Sequence, residues 1–302
     1  MKNKKALDIL RIVIFTFSAY FISCLFLKIN PEAVFRNTLF VMFTPTMAHI
    51  ITRLVTREKT TVKELLLPAN LRGNIKYYVT AVVIPYVMFI TSAIILIIFW
   101  VEDYNIKECP ISTNTSEFII SNLITIGSSF IVFYVCFGEE FGWRAYLTPK
   151  LESLMPESLA LIVSGIIWAM WHGVLIKNYG LNFGTGYKFF PYAGYIAMCI
   201  MCIFTGSFLT WITKKTGSIY PASIAHTVID TIGIHTYLIP EKEWLRIDGT
   251  GQENFNVSCM LLSGMAIIGV VFFVLLCIEY KKKKAIKAEE EAKKAAELKE
   301  KE

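Results

Sequence analysis

The sequence predicts an all-α, polytopic membrane protein with about eight transmembrane helices that enclose a polar cavity. Hydrophobic residues make up 55% of the 302 residues and charged residues only 18%, whereas a soluble domain is about a quarter charged. The chain also contains repeated apolar runs of roughly the 20 residues that a helix needs to cross a bilayer.

Eight apolar runs define the predicted spans and the domain organisation. They cover residues 10–27, 38–54, 77–100, 118–137, 158–176, 192–213, 222–239 and 257–278. The first run is long and lacks a small-residue cleavage site, so we interpret it as a span and not as a signal peptide. Residues 1–280 are therefore predicted to form one transmembrane domain, and the charged residues 281–302 a cytoplasmic tail.

Lys and Arg residues alternate between the connecting loops. The basic loops follow the second span, the fourth and the sixth, and "KKKK" follows the eighth. Because Lys and Arg are enriched in cytoplasmic loops, both termini are predicted to be cytoplasmic. The net charge of +6 then reflects topology and contact with anionic membrane lipids, and it gives no reason to expect nucleic acid as a partner.

Ionisable side chains inside spans are costly and are therefore candidates for function. Asp8, Arg11 and Arg53 lie at span ends, where such side chains can reach the interface, and we interpret them as structural. His49, one turn from Arg53, and His235 are also predicted to be structural. Six other residues resist this interpretation because they lie in or beside three predicted spans: Glu139, Glu140, Arg144, His172, His226 and Asp230.

Spacing separates the two adjacent glutamates. If the fourth span stays helical until Pro149 interferes, Glu140 and Arg144 are four residues apart and can form an ion pair. Glu139 lies about 100° around the helix, so its partner must come from another helix, with His172 and His226 as the candidates. Asp230 lies one turn beyond His226.

This set of side chains suits hydrolysis of an amide. A carboxylate and an imidazole in a poorly solvated cavity can take a proton from water, and a second imidazole can stabilise the oxyanion. Alternatively, one glutamate and two histidines could bind zinc and leave a position open for water. The chain lacks the HExxH motif of zinc metalloproteases. The spacings between these residues do not decide between direct activation of water and zinc binding.

Three motifs carry a family resemblance. "EEFGWR" fits EExxxR, "WAMWH" fits FxxxH with Trp168 in place of Phe, and "HTVID" fits HxxxN with Asp230 in place of Asn. In this order the motifs resemble the CAAX protease and bacteriocin-processing family, whose type II CAAX prenyl endopeptidases include the Ras-converting enzyme.

The resemblance implies an intramembrane endopeptidase that cuts near the carboxyl terminus of a membrane-associated, prenylated (CAAX) protein. It implies that Glu139 and His172 activate water, that His226 helps to form the oxyanion hole, and that Glu140 and Arg144 support the site. Asp230 would act as a protonated acid or hold the tautomer of His226. The resemblance also implies a cavity open to the cytoplasm and the membrane, where the lipidated peptide enters.

This interpretation requires no cofactor. Should zinc be used, its ligands are predicted to be Glu139, His172 and His226. A different function also remains open: the same polar cluster suits a non-enzymatic membrane protein, either a peptide or bacteriocin immunity protein or an ion-coupled transporter.

Overall fold

The computed structural model describes residues 2–29, 32, 34–231, 237–245 and 251–299. These ranges contain helices and no strand, which confirms the predicted all-α class. The helices are α1 (Lys2–Ile29), α2 (Val34–Met42), α3 (Thr44–Val55), α4 (Ile75–Phe99), α5 (Pro110–Thr113), α6 (Thr115–Gly142), α7 (Thr148–Glu152), α8 (Glu157–Tyr179), α9 (Tyr192–Thr216), α10 (Tyr220–Thr231), α11 (Glu241–Leu245) and α12 (Gly251–Lys299).

The helices are long and apolar enough for a multi-pass membrane protein. In the described part of the chain six helices qualify as spans, and a seventh qualifies if the two parts of a bent pair, Thr115–Thr125 and Ser129–Glu152, count as one. The bend between these parts is 48°. The predicted span 222–239 corresponds to α10, which has only 12 residues, and residues 232–236 lie outside the described ranges. The count of eight therefore stays a prediction.

The second predicted span is interrupted near its middle. It consists of α2 and α3, which are separated at Phe43, and Pro45 occupies the first turn of α3. Proline lacks the backbone N–H and collides with the carbonyl of the preceding turn, so it starts a helix more easily than it continues one. The interruption thus follows directly from the sequence.

The fourth span continues past the point where Pro149 was expected to end it. After α6 the chain makes a π-helical turn, Trp143–Leu147, and then continues as α7, in which Pro149 occupies the first turn. A π turn contains one residue more than an α turn. Here the π turn lets the helix restart with Pro149 in its first turn, where proline is tolerated. Glu139 and Glu140 therefore lie well inside one nearly continuous helix.

Successive spans alternate in direction and define two faces of the bundle. The terminal face contains the start of α1 and loops 56–74, 153–156 and 217–219. The Ile219 N–H donates to the Leu66 carbonyl there, at 2.9 Å. The far face contains loops 100–109 and 180–191, where the Gly251 N–H donates to the Thr185 carbonyl at 2.7 Å.

An ion-pair network closes part of the terminal face. Lys150 Nζ lies 2.5 Å from Glu58 and 3.2 Å from Asp8, and Arg11 lies 3.1 Å from Asp8 and 3.3 Å from Glu58. Burial alone would raise the pKa of Glu58, but hydrogen bonds from Lys150 and Tyr146 hold that pKa below its ordinary value. Asp8 and Arg11 therefore have partners, as expected for structural residues.

Gly142 lets α3 approach the end of α6 very closely. A Cβ atom at this position would lie 2.4 Å from Pro45 Cβ and 2.6 Å from its carbonyl carbon. Small residues permit such close helix contacts in membranes. The contact places the turn that carries Glu139 and Glu140 against the start of α3.

We therefore expect Gly142→Ala to destabilise the protein by about 1–3 kcal/mol, the usual cost of overpacking. Gly127→Ala provides the matched control, because an added Cβ there would have nothing within 4 Å. Thermal unfolding in detergent measures both variants. Equal melting temperatures would contradict the close approach of Pro45 to α6.

Candidate active site

Glu140 joins two helices at the centre of the site. Its side chain is fully buried, one oxygen lies 3.1 Å from Arg144 Nε and the other 2.9 Å from His226 Nδ1. A carboxylate paired with a guanidinium accepts hydrogen bonds, so His226 Nδ1 donates to it. Glu140 thereby fixes the ring of His226, on α10, relative to α6.

Glu139 finds its partner in Trp168. The indole Nε1 of Trp168 donates to Glu139 Oε2 at 3.0 Å, and only 1% of Glu139 is exposed. This partner comes from another helix, as expected, but it is the indole one turn before His172 on α8. A pairing of Glu139 with His172 or His226 stays a prediction.

Trp168 also contacts the cation of the supporting pair. The guanidinium carbon of Arg144 lies 4.2 Å from the centre of the indole ring, which is close enough for a cation–π interaction. The ring of His226 meets the indole edge to face at 5.6 Å. One aromatic side chain thus connects Glu139 to the Glu140–Arg144 pair.

His172 has a defined tautomer. Its Nδ1 lies 3.0 Å from the Trp168 carbonyl oxygen, and because a carbonyl oxygen only accepts, Nδ1 carries hydrogen. The contact to Cys202 Sγ is longer, at 3.9 Å. A neutral ring with hydrogen on Nδ1 leaves Nε2 as the acceptor.

Asp230 lies beside His226 without fixing its orientation. Its Oδ2 is 3.7 Å from His226 Nε2 and 3.5 Å from Cys136 Sγ. About a third of its side chain (34%) is exposed. The hydrogen bond that holds the His226 ring joins its Nδ1 to Glu140, and the role of Asp230 stays a prediction.

Four of the six predicted site residues line one cavity of about 450 Å³. This volume is within the usual range for ligand pockets, about 300–1,000 Å³. The cavity is lined by Glu139, His172, His226 and Asp230 together with apolar residues from α4, α9 and α12. Glu140 and Arg144 lie behind this wall, as supporting residues should.

The cavity opens towards the far face. Asn182, in loop 180–191, is exposed and also lines the cavity. The expectations that both termini are cytoplasmic and that the cavity is open to the cytoplasm both stay predictions.

A metal would fit a different set of side chains from the one predicted. In the described part of the chain, the three side chains whose potential ligand atoms lie within 4.8 Å of one another are Cys136, His226 and Asp230. Three protein ligands with an open fourth position suit catalytic zinc. Glu139 and His172 do not belong to this group, so a zinc ion at these three side chains would leave them free.

Two contributors to the site were missed in the sequence. Trp168 was noted only as a replacement for Phe, although an indole N–H beside a buried acid signals a hydrogen bond, and Cys136 was not singled out. His49 bonds to the Phe141 carbonyl at 3.0 Å and accepts from Arg53 at 2.6 Å, away from the cavity. His235 lies outside the described residues.

Comparison with protein families supports the motif assignment. Residues 121–232 match the family model described as type II CAAX prenyl endopeptidase Rce1-like. This part of the chain is similar to the Rce1-like family. The match covers a little over a third of the 302 residues and includes all six predicted site residues, which confirms the family resemblance. No match is found among curated proteins.

The similarity to this family points to a protease of the CAAX-processing type. Together with the apolar helices it indicates a multi-pass integral membrane protein. The geometry of Glu139, His172 and His226 can therefore be assessed as that of a hydrolytic site.

The buried Glu140–Arg144 pair generates a stability prediction. Glu140→Gln leaves Arg144, whose side chain is 3% exposed, without its counter-ion, which costs about 3–5 kcal/mol. The matched control is Glu289→Gln, which breaks the exposed pair with Lys293, also four residues apart. Thermal unfolding in detergent should show a large loss for the first and none for the second. Similar losses would contradict a supporting role for Glu140.

Proposed function

We propose that this protein is an intramembrane endopeptidase that hydrolyses a peptide bond near the carboxyl terminus of a membrane-associated protein. The observation that carries the proposal is the convergence of Glu139, His172, His226 and Asp230, from α6, α8 and α10, on one cavity. The family's substrates, prenylated CAAX proteins, supply the first substrate class to test.

In this proposal a water molecule in the cavity attacks the peptide carbonyl carbon. Glu139, held by the Trp168 N–H, and His172, with Nε2 free to accept, take the proton from that water. The C–N bond then breaks, and the leaving amine receives a proton from the same pair. The oxygen of the water is then in the new carboxylate, and the proton taken from the water is on the new amine.

His226 is the proposed donor to the oxyanion. In the imidazolium form both ring nitrogens donate: Nδ1 donates to Glu140, which keeps the ring from turning away from the cavity, and the Nε2–H, on the side of Asp230, is the donor to the oxyanion. A donor fixed before the reaction stabilises developing charge without reorganisation. Glu140 and Arg144 act through His226 and therefore have a positioning role.

The proposed mechanism uses no cofactor. A metal ion held by Cys136, His226 and Asp230 would act as a Lewis acid on the carbonyl or lower the pKa of a bound water. A strong zinc chelator applied to the purified protein tests this alternative, because removal of a catalytic metal abolishes cleavage.

We further propose that both termini are cytoplasmic. Support comes from the basic residues of the terminal face, including the four Lys and Arg residues of loop 56–74 and the "KKKK" at 281–284. Such enrichment is typical of cytoplasmic segments. The charged end of α12, which continues to Lys299, then projects into the cytoplasm.

The proposed mechanism predicts the effect of removing each catalytic group. Glu139→Ala, His172→Ala and His226→Ala should each lower kcat by at least about 10²-fold, the usual contribution of a positioned acid or base. Asp230→Asn should keep activity, since Asn also provides an N–H donor. The assay is cleavage of a farnesylated CAAX peptide by purified protein in detergent, with folding checked by gel filtration.

Retained cleavage in Glu139→Ala would refute the proposed mechanism. Loss of cleavage in Asp230→Asn would instead assign the carboxylate its own role. The chelator result then distinguishes a metal ligand from a proton carrier.

A second kinetic prediction concerns Trp168. Trp168→Phe keeps an aromatic ring beside Arg144 but removes the N–H that Glu139 accepts. We expect kcat to fall about tenfold with KM unchanged, since a hydrogen bond to a charged group contributes about 1.5–3 kcal/mol. Trp211→Phe is the matched control, because the Trp211 N–H has no hydrogen-bond partner among the described residues. Equal kcat values in both variants would contradict a positioning role for Trp168.

A further inference from the structure

We propose that Cys136, His226 and Asp230 form a binding site for a thiophilic divalent cation such as Zn²⁺, and that the bound ion blocks hydrolysis. The blocking part rests on the proposed function, because it concerns the His226 atom that donates to the oxyanion. The binding part depends only on the three side chains and their surroundings. The two parts are therefore tested separately.

The site is formed where α10 packs against α6. Cys136 and Glu140 are four residues apart on α6, and His226 and Asp230 are four residues apart on α10, so each pair shares one face of its helix. Cys136 Sγ lies 3.5 Å from Asp230 Oδ2, and Glu140 lies 2.9 Å from His226 Nδ1. The two helices thus bring a thiol, a carboxylate and an imidazole together.

The spacing of these atoms fits a tetrahedral ion. At the usual Zn–S, Zn–N and Zn–O distances, two ligand atoms of a tetrahedral site lie about 3.4–3.6 Å apart. Asp230 Oδ2 lies 3.5 Å from Cys136 Sγ and 3.7 Å from His226 Nε2. The potential ligand atoms all lie within 4.8 Å of one another, so the remaining pair must approach by at most about 1.3 Å to reach that spacing.

His226 already has the orientation of a metal ligand. A ligating histidine usually donates its other ring N–H to a carboxylate, which fixes the ring and its tautomer. His226 Nδ1 lies 2.9 Å from Glu140, which is paired in turn with Arg144 at 3.1 Å. When the ring is neutral with hydrogen on Nδ1, the lone pair of Nε2 is on the side of Asp230. The imidazole is therefore positioned before an ion arrives.

The charges around the site suit a cation of this class. Arg144 compensates Glu140, whereas Glu139 and Asp230 add two carboxylates to the wall of the cavity. The Cys136 thiol loses its proton when it ligates a metal, so the thiolate and the Asp230 carboxylate neutralise a divalent ion. Thiolate and imidazole ligands favour Zn²⁺ and Co²⁺, whereas Mg²⁺ prefers oxygen ligands.

An ion can reach this site from the cavity. His226 and Asp230 line the cavity, and 34% of the Asp230 side chain is exposed. Cys136 is buried and forms the inner ligand. With three protein ligands, a tetrahedral ion keeps one position for water.

Occupation of the site removes the proposed oxyanion donor. In the proposed mechanism His226 Nε2 carries hydrogen, whereas a metal ligand uses the lone pair of the same atom. The two states exclude each other. Because two anionic ligands cancel the charge of the ion, the ion is a poorer partner for an oxyanion than an imidazolium is. Loss of one oxyanion donor usually lowers kcat by about 10²–10³-fold.

Metal binding is measured first, on the full-length protein purified in detergent without a histidine tag and stripped with a chelator. With Co²⁺ we expect the near-ultraviolet absorption of a cobalt–thiolate bond. Cys136→Ser should abolish this absorption and weaken Zn²⁺ binding at least about tenfold, since loss of even a hydrogen-bond partner of a ligand costs 10–100-fold in affinity. Gel filtration checks folding.

Cys277→Ser is the matched control for Cys136→Ser. Cys277 is also a free cysteine in an apolar helix, but it belongs to no such group among the described residues. Equal cobalt absorption in the two variants would refute the site. Asp230→Asn provides a second variant, which keeps the thiolate and should require a higher Co²⁺ concentration for the same absorption. An unchanged Co²⁺ affinity in Asp230→Asn would overturn its assignment as a ligand.

Cleavage of a farnesylated CAAX peptide then tests the block. Saturating Zn²⁺ should lower kcat of the stripped protein at least about tenfold through loss of the oxyanion donor, and excess chelator should restore it. Mg²⁺ should have no effect. Zn²⁺ should still inhibit Cys277→Ser, whereas Cys136→Ser should have the same kcat with and without the ion. Equal inhibition of both variants, or faster cleavage with Zn²⁺, would overturn the blocking role.

The two measurements separate this inference from the proposed function. Zn²⁺ binding that requires Cys136, without cleavage in the presence or absence of the ion, refutes the protease proposal and leaves the metal site intact. Cleavage by a stripped protein that neither binds Zn²⁺ nor is inhibited by it refutes the metal site and leaves the protease proposal intact.

Discussion

The structure of the site depends on the Glu140 carboxylate, which contacts both Arg144 and His226. Glu140 forms an ion pair with Arg144 on its own helix and accepts a hydrogen bond from His226 on α10, and it is fully buried. Buried charges persist only when they are paired and hydrogen-bonded. The constraint that stabilises Glu140 therefore also fixes the distance between α6 and α10, and with it the position of the imidazole in the cavity.

Glu139 and Glu140 therefore have different roles. Glu140 and Arg144 pair behind the cavity wall, so Glu139 is the glutamate that lines the cavity. Trp168 holds that acid through its indole N–H. The Trp168 indole thus contacts Glu139 directly. His172 bonds through Nδ1 to the Trp168 carbonyl, which leaves its Nε2 as an acceptor.

Much of this arrangement could be predicted from the sequence, because it depends on local spacing. The ion pair between Glu140 and Arg144 follows from a four-residue interval, and the separation of Glu139 follows from the angle per residue. The contacts made by Trp168 and Cys136 could not be predicted, because they depend on how α8 and α10 rotate when they pack. The side of the opening depends on the same packing, since motif order says nothing about depth within a helix.

The π-helical turn at Trp143–Leu147 has a consequence for how the two faces communicate. One residue more in a turn rotates everything beyond it by about 100° on a helix, so Lys150 reaches Asp8 and Glu58 only in this register. Arg144 belongs to the same turn. The π turn therefore links the ion pairs of the terminal face directly to Arg144, the guanidinium that pairs with Glu140 beside His226.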